Sequence, residues 1–349
     1  MPDSSHLSNR KGDHIRINLE EDVQSSLSTG LEDFQFVHCA IPEINLKDVD
    51  ISTKLWNKNI SAPMLISSMT GGTEKAGEIN CILARAAQKT GVALGIGSQR
   101  VGLDHPELAE TFRVRKVAPD ILLFANLGAI QLNYTYSVDH CRRAVEMIEA
   151  DALFLHLNAL QEAIQPEGDT CFAGLLQKIE AVCKGLTVPV VIKEVGWGIS
   201  AKDAARLVSA GVAAIDVAGA GGTSWSQVEM YRVEDPHQAK VAGAFRGWGI
   251  PTAQSIQQVC KAAPGLPVFA SGGLRDGIDI AKCLALGAAL GGMASPLIKA
   301  ASVSEEETVK VIQEIQREIQ ISLFACGCKD IAALQTNKDV LVKKGEAWI

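Results

Sequence analysis

The chain has 349 residues, of which 47% are hydrophobic and 21% charged, and its net charge is -7. This balance is typical of a globular protein with a large core, and the acidic charge argues against a nucleic-acid-binding face. Its polar first residues predict no signal peptide, and the absence of an apolar run of 18 residues predicts no membrane span. Nine scattered cysteines indicate reduced thiols and a cytoplasmic protein.

Residues 1–60 are polar and irregular, and predict an N-terminal arm with short strands such as FQFVHCAI at 34–41. From there, over 61–349, short apolar runs alternate with helical patterns, which is typical of β/α units around a parallel sheet. We count eight such runs: 62–69, 92–98, 121–127, 152–158, 188–195, 213–219, 266–273 and 289–295.

Helical patterns fill the intervals, as in GEINCILARAAQKTG, SVDHCRRAVEMIEA, TCFAGLLQKIEAVCKG and SAKDAARLVSAG, and a long helix follows the eighth run. A doubly wound open sheet would give similar local signals. The count of eight, and the polar residues gathered after the runs, favour an α/β fold of the (β/α)8 TIM-barrel type. A long insertion at 220–250 follows the sixth strand, where a lid or binding loop is expected.

Glycine pairs after the last two strands point to an anion site. SGGLRDG begins at Ser271, and GMASP ends at Pro296. The loops after strands seven and eight of such barrels commonly bind phosphate, so the two motifs together predict one phosphate cradle. The alternative is that SGG is merely a tight turn between strand and helix.

Other polar residues allow both a functional and a structural interpretation. Lys193, at the end of VPVVIK, is either a snorkelling side chain or a cation for a ligand. Glu162 could bind Mg²⁺ or face water at a helix start, and His156 alone is more often a hydrogen-bonded core residue. The cations Arg10 and Lys11 are either solvated or part of an arm that closes over an anionic substrate.

The motifs taken together closely resemble one family, the type 2, flavin-dependent isopentenyl diphosphate isomerases. The resemblance spans nearly the whole chain, and its order makes it specific. It rests on RKxDHI (from 10), SSMTGG (67), GSQR (97), NLGA (126), HLNxxQE (156), KEVGxG (193), GGT (221), SGGLRxG (271) and MASP (293).

This resemblance implies an FMN at the barrel rim, a substrate diphosphate and a Mg²⁺ ion held by Glu162. The implied FMN contacts are Ser67, Ser68, Met69, Thr70, Ser98, Asn126, Lys193, Thr223, Gly272, Gly273, Leu274, Arg275, Ala294 and Ser295. The implied substrate contacts are Arg10, Lys11, Ser98, Gln99, Arg100 and Gln161. Ala218 stands where the family often has serine, which puts one flavin contact in doubt.

The implied reaction moves a double bond between isopentenyl and dimethylallyl diphosphate, with no net redox change. We hypothesise that FMN, reduced by NADPH, acts as acid and base, while Lys193 stabilises its anionic form. Gln161, fixed by His156 and Asn158, would orient the alkene and complete the catalytic set. The family also implies a homo-oligomer, a tetramer or octamer.

Three alternatives remain. A flavin-dependent 2-hydroxy-acid oxidase shares the barrel, but no His base with an Arg pair follows the seventh run. A nucleotide dehydrogenase needs a nucleophilic Cys after strand six, and GAGGTSW has none. A barrel that only binds a phosphorylated ligand would be separated from these enzymes by an activity assay.

Overall fold

A closed eight-stranded parallel barrel forms the body of the protein, in a computed structural model that describes residues 13, 16–18, 20–69 and 71–345. The barrel order is β4-β5-β6-β7-β8-β9-β10-β11, with β11 pairing back to β4. The strands are β1 (Phe34–Phe36), β2 (Thr53–Leu55), β3 (Lys58–Ile60), β4 (Met64–Ile66), β5 (Ala93–Gly95), β6 (Leu123–Gly128), β7 (Ala152–His156), β8 (Val190–Lys193), β9 (Ala214–Asp216), β10 (Val268–Ala270), β11 (Leu290–Met293) and β12 (Leu341–Lys343).

Each of the eight predicted apolar runs overlaps one barrel strand, so the predicted barrel is confirmed and the open-sheet alternative is wrong. Helices follow the strands on the outside. They are α1 (Glu74–Thr90), α2 (Arg100–Asp104), α3 (Val138–Ile148), α4 (Ala159–Ile164), α5 (Leu175–Gly185), α6 (Ala201–Ser209), α7 (Trp225–Arg232), α8 (Pro236–Gly243), α9 (Thr252–Ala262), α10 (Gly277–Ala285), α11 (Ser295–Ala301), α12 (Glu305–Ala325) and α13 (Ile331–Thr336).

Alternation along the strands separates the inside of the barrel from its helix-covered outside. Leu153 and Leu155 of β7 pack with the outer core, whereas Phe154 between them belongs to the cluster that fills the barrel. Successive side chains of a strand point to opposite faces, so this parity is fixed along each strand. Inside, Phe124 stacks on Phe154 at 4.4 Å between ring centroids, and Phe269 meets Phe124 edge-on at 5.9 Å.

A hairpin closes the barrel at the N-terminal ends of its strands. Strands β2 and β3 pair antiparallel, and Leu55 and Ile60 join the inner cluster. Trp56, in the turn between them, meets Phe124 edge-on at 6.1 Å. The inner layer is therefore sealed from below by residues of the segment that the sequence assigns to the N-terminal region.

Polar side chains stand two positions beyond the apolar inner layer, at the C-terminal ends of the strands. Because two positions preserve the facing of a side chain, these residues also point inward. They are Ser67 above Leu65, Asn126 above Phe124, His156 above Phe154, Lys193 above Val191, Asp216 above Ala214 and Ser271 above Phe269. A polar layer thus lies directly above the apolar cluster that fills the barrel.

Three local features differ from the sequence-based expectation. The predicted strand at 34–41 is only β1, Phe34–Phe36, and it pairs antiparallel with β12 near the C-terminus, which was not predicted. The insertion at 220–250 is confirmed, but it contains helices α7 and α8 and is not simply a loop. Strand β12 was missed because a pair separated by some 300 residues leaves no local signal.

No helix within the described ranges is long and apolar enough to cross a membrane. The nine cysteines, which all fall in these ranges, are free thiols, as the sequence predicted.

The inner aromatic layer should carry a large share of the stability of the barrel. We expect Phe154→Ala to lower the free energy of unfolding by about 3–5 kcal/mol, because it leaves a cavity beneath the polar layer. Phe245→Ala, at a partly exposed position of the insertion, should cost much less. Chemical denaturation of the two variants measures the difference, and equal losses would contradict this role.

Candidate functional site

A cleft of about 700 Å³ opens at the C-terminal ends of the barrel strands. Nearly all described residues that the sequence singled out contribute to its wall. They are Ser67, Ser68, Met69, Ser98, Arg100, Asn126, His156, Asn158, Gln161, Glu162, Lys193, Thr223, Gly272, Gly273, Leu274, Arg275, Ala294 and Ser295. Arg10, Lys11 and Thr70 lie outside the residues that the structure describes.

One end of the cleft is built from two glycine loops that touch through their backbones. Gly272 and Gly273 have φ angles of 103° and 80°, which favour glycine. A Cβ added to Gly273 would lie 2.5 Å from the carbonyl carbon of Gly221, and one on Gly222 would lie 2.6 Å from the nitrogen of Gly273. The loops after β9 and β10 therefore form one tightly packed cradle, lined by Arg275 and Ser295.

Two serine hydroxyls beside the cradle lack internal partners. The Oγ atoms of Ser67 and Ser68 are buried, and neither has a hydrogen-bond partner among the described residues. A Cβ on Gly292 would lie 2.7 Å from Ser67 Oγ, so the glycine leaves this hydroxyl room. Both serines line the cleft, and their unmet hydrogen-bonding capacity suits a polar ligand.

His156 is held at the floor of the cleft by a neighbouring strand. Its Nδ1 lies 2.9 Å from Oδ1 of Asn126, whose Nδ2 donates to the carbonyl of Ile96. The amide oxygen of Gln99 accepts from Asn126 N, and Gln99 Nε2 donates to the carbonyl of Ala144. The histidine ring therefore has a fixed orientation.

Gln99 does not lie where a substrate-binding residue is expected. It was expected to contact substrate, but its side chain is fully buried and does not line the cleft. Its amide group is instead used to hold β6. Gln99 thus supports Asn126 from behind, and Ser98 and Arg100 on either side of it are the residues of GSQR that reach the cleft.

The polar residues after β7 form a hydrogen-bonded network with the insertion. Asn158 Nδ2 donates to Glu162 Oε1 at 2.7 Å and to Gln161 Oε1 at 3.3 Å. Gln161 Nε2 donates to Oε1 of Glu229, a fully buried residue of α7, at 2.9 Å. Glu229 in turn pairs with Arg232 at 2.6 Å. Gln161 is therefore held between the strand end and the insertion.

The guanidinium of Arg100 is tied to the same region. It donates to Asp169 Oδ2 at 3.2 Å, and Gln131 Nε2 donates to the same oxygen at 2.8 Å. The backbone N–H of Asp169 donates to Glu162 Oε2 at 2.7 Å. One turn thus holds a cation and a carboxylate at the same side of the cleft.

Lys193 ends β8 beside His156 of β7, between the fully buried Asp216 and the partly buried Glu194. Its Nζ donates to the carbonyl of Glu194 at 2.8 Å. Burial raises the pKa of Glu194 to about 7, although three backbone N–H groups, of Val195, Gly196 and Trp197, and the charge of Lys193 act to lower it. Burial also raises the pKa of Asp216, against the lowering effect of Lys193.

Residues of the N-terminal segment also contribute to this cleft. Asn18 and Gln24 line it, and Gln24 forms an antiparallel bridge with Thr223. The backbone N–H of Ser25 donates to the carbonyl of Gly222 at 2.8 Å. Residues 23–25 are therefore docked on the loop after β9, next to the glycine cradle.

Sequence reasoning missed four residues that shape the cleft: Gln131, Asp169, Asp216 and Glu229. Asp216 had a signal, since it is the polar residue in the sixth apolar run, at the strand end. Glu229 had none, because its helix lies in the insertion and only the fold brings it to Gln161.

The chain is similar both to a family model and to curated proteins. Residues 161–341 match the family model described as FMN-dependent dehydrogenase. Isopentenyl-diphosphate delta-isomerases from Synechocystis sp. and Rickettsia bellii are 53% and 51% identical over 326 residues, covering 93% of this chain and 93% and 95% of theirs.

The fold has solved counterparts as well. A crystal structure of mandelate oxidase with (S)-2-phenylpropionate superposes with a TM-score of 0.65 and covers 97% of this chain and 98% of that one. At 20% identity this likeness concerns the fold alone. The match to the isomerases is far closer, at 53% and 51% identity over 93% of this chain. The chain therefore belongs to the isopentenyl-diphosphate delta-isomerase family.

Proposed function

We propose that the protein interconverts isopentenyl diphosphate and dimethylallyl diphosphate in isoprenoid biosynthesis, with reduced FMN and Mg²⁺. The observation that carries this proposal is the 53% identity to an isopentenyl-diphosphate delta-isomerase over 93% of both chains. The geometry supports it, because one cleft contains a glycine cradle, a lysine and the polar network around Gln161.

The residues at the cradle fit the phosphate and ring of FMN. The backbone at Gly272 and Gly273 can approach a phosphate closely because no Cβ intervenes, and Arg275 adds a cation. The unpartnered hydroxyls of Ser67 and Ser68 would meet polar atoms of the ring. Asn126 and Lys193 line the wall between them. Held there in its reduced form, FMN would supply a proton donor and acceptor for the alkene.

The opposite side of the cleft fits a magnesium diphosphate. Magnesium commonly binds one or two carboxylates together with substrate phosphates and water. Glu162 offers one carboxylate at the cleft, and among the described residues no group of three or more His, Cys, Asp or Glu forms a denser metal cage. Arg100 stands nearby for the diphosphate, and Arg10 and Lys11 of the arm would add charge.

Gln161 would place the alkene between these two ends. Gln161 is 8% exposed, and its amide is held by Asn158 and Glu229, so it keeps one orientation. Isomerisation adds a proton to the terminal alkene carbon and removes one from the allylic carbon. Protonating an alkene develops positive charge, which a dry, preorganised pocket stabilises better than water does.

His156 and Lys193 complete the positioning. The hydrogen bond to Asn126 fixes the His156 ring, and Lys193, its neighbour on β8, keeps a cation at the wall of the cleft. The apolar cluster that fills the barrel beneath them, with Phe124 and Phe154 fully buried, excludes water from that side. Docking of residues 23–25 on the loop after β9 places Gln24 in the wall of the cleft.

An absorbance spectrum and an isomerase assay test the proposal directly. The purified protein should be yellow, and it should convert isopentenyl diphosphate only when FMN, Mg²⁺ and a reductant such as NADPH are present. Nuclear magnetic resonance of the product identifies the shifted double bond. Full turnover without flavin would end the proposal, and so would oxidation of a 2-hydroxy acid in place of isomerisation.

The glycine cradle gives a sharp test of where FMN binds. Gly273→Ala should weaken FMN binding at least tenfold, since its Cβ would collide with the backbone of Gly221. Gly265→Ala is the matched control, because Gly265 has nearly the same φ angle, 82°, but nothing within 4 Å of the added Cβ. Fluorescence titration of the apoproteins with FMN measures both. Equal losses would show that backbone strain, and not the cradle, is responsible.

Glu162 can be tested apart from the flavin. Glu162→Gln removes the carboxylate charge, so we expect the Mg²⁺ concentration for half-maximal activity to rise at least tenfold while FMN content is unchanged. Glu180→Gln, a surface glutamate paired with Lys184, serves as the control. An unchanged Mg²⁺ requirement in Glu162→Gln would remove this residue from the metal site.

A further inference from the structure

Asp216 is a buried acid of the polar layer that the mechanism above does not use. It ends β9, points into the barrel above Ala214, and is 0% exposed. A carboxylate without contact to water is costly unless charge or hydrogen bonds compensate it. The hydrogen-bond donors and charges around Asp216 therefore determine its role.

Hydrogen bonds satisfy only one of its two oxygens. Oδ1 accepts from Ser271 Oγ at 2.7 Å and from the N–H of Ala218 at 3.3 Å. Oδ2 is buried, and none of the described residues donates to it. Ser271 is the residue directly before Gly272, so Asp216 is joined to the start of the glycine cradle.

The compensating charge is Lys193. Asp216 and Lys193 are paired across the neighbouring strands β9 and β8, and both point inward in the same layer. Neighbouring strands are about 4.8 Å apart, so the two charges interact strongly in this dry layer. The carboxylate of Glu194, the other acid beside Lys193, is turned into its own loop by three backbone N–H groups.

We propose that Asp216 is a positioning residue that balances the charge of Lys193 at the FMN site. This inference rests on the proposed function, since it concerns the group that Lys193 faces in the cleft. Asp216 keeps the ammonium at the wall and joins it, through Ser271, to the cradle. It also reduces the net positive charge that the site presents to a bound flavin.

The opposite charges of Lys193 and Asp216 should change the relative stability of the two redox forms of FMN, which can be measured. The reduced form carries a negative charge on its ring, whereas the oxidised ring is neutral. Lys193 favours the reduced form, and Asp216 opposes this preference. Removing the carboxylate alone should thus favour reduced FMN, and removing the lysine alone should favour oxidised FMN.

Asp216→Asn separates charge from shape, because the amide oxygen still accepts from Ser271. We expect its preference for reduced over oxidised FMN to increase at least tenfold, which is about +30 mV in the two-electron midpoint potential. Lys193→Met should shift the potential in the opposite direction. The double variant, neutral at both positions, should return close to the wild-type value. Spectroscopic redox titration of the FMN-loaded proteins measures all four.

A control variant distinguishes an effect of Asp216 from an effect of removing a carboxylate elsewhere in the protein. Asp151→Asn removes a carboxylate at the other end of the barrel, beside Arg115, and should leave the potential unchanged. An unchanged or lowered potential in Asp216→Asn would overturn the inference. If Asp216→Asn does not fold, the double variant is compared with Lys193→Met, and equal potentials would overturn it. A wild-type protein that binds no FMN would instead refute the proposed function.

Discussion

The two-residue repeat of the barrel strands is the constraint on which the rest depends. It places Phe124, Phe154 and Phe269 in one sealed layer and Asn126, His156 and Ser271 in the next. Because a closed barrel has no free edge, a strand cannot slip by one residue without moving its polar group into the outer core. The packing that stabilises the fold thereby also fixes the facing of the functional side chains.

Hydrogen bonds from outside the barrel refine what the strands position. Gln161 is oriented by Glu229 of the insertion, Asn126 by Gln99, and Arg100 by Asp169. The contacts of Gln161 and Asn126 satisfy buried polar groups that would otherwise cost free energy, so these side chains are oriented without a ligand. A site organised in this way loses little conformational entropy when a diphosphate and a flavin enter it.

The sequence predicted much of this molecule for identifiable physical reasons. All eight strands were predicted because parallel strands are continuous apolar runs. The sequence predicted a phosphate cradle after strands seven and eight, whereas the glycine loops that touch follow strands six and seven, a contact that only the fold creates. The facing of Gln99 was not predictable, since GSQR turns out of the strand where period-two alternation ends. The contact of Glu229 with Gln161 joins residues 68 positions apart, and no local pattern encodes it.

The pairing of β1 with β12 has a consequence for how the molecule is completed. Phe34–Phe36 find their partners only at Leu341–Lys343, and the last barrel strand must likewise return to β4. During synthesis, β1 therefore cannot pair until Leu341–Lys343 have left the ribosome. Residues 23–25 precede β1 and rest on the loop after β9, so the wall they provide also depends on a contact between distant parts of the chain. A nascent chain that has not yet produced this loop cannot enclose the pocket on that side.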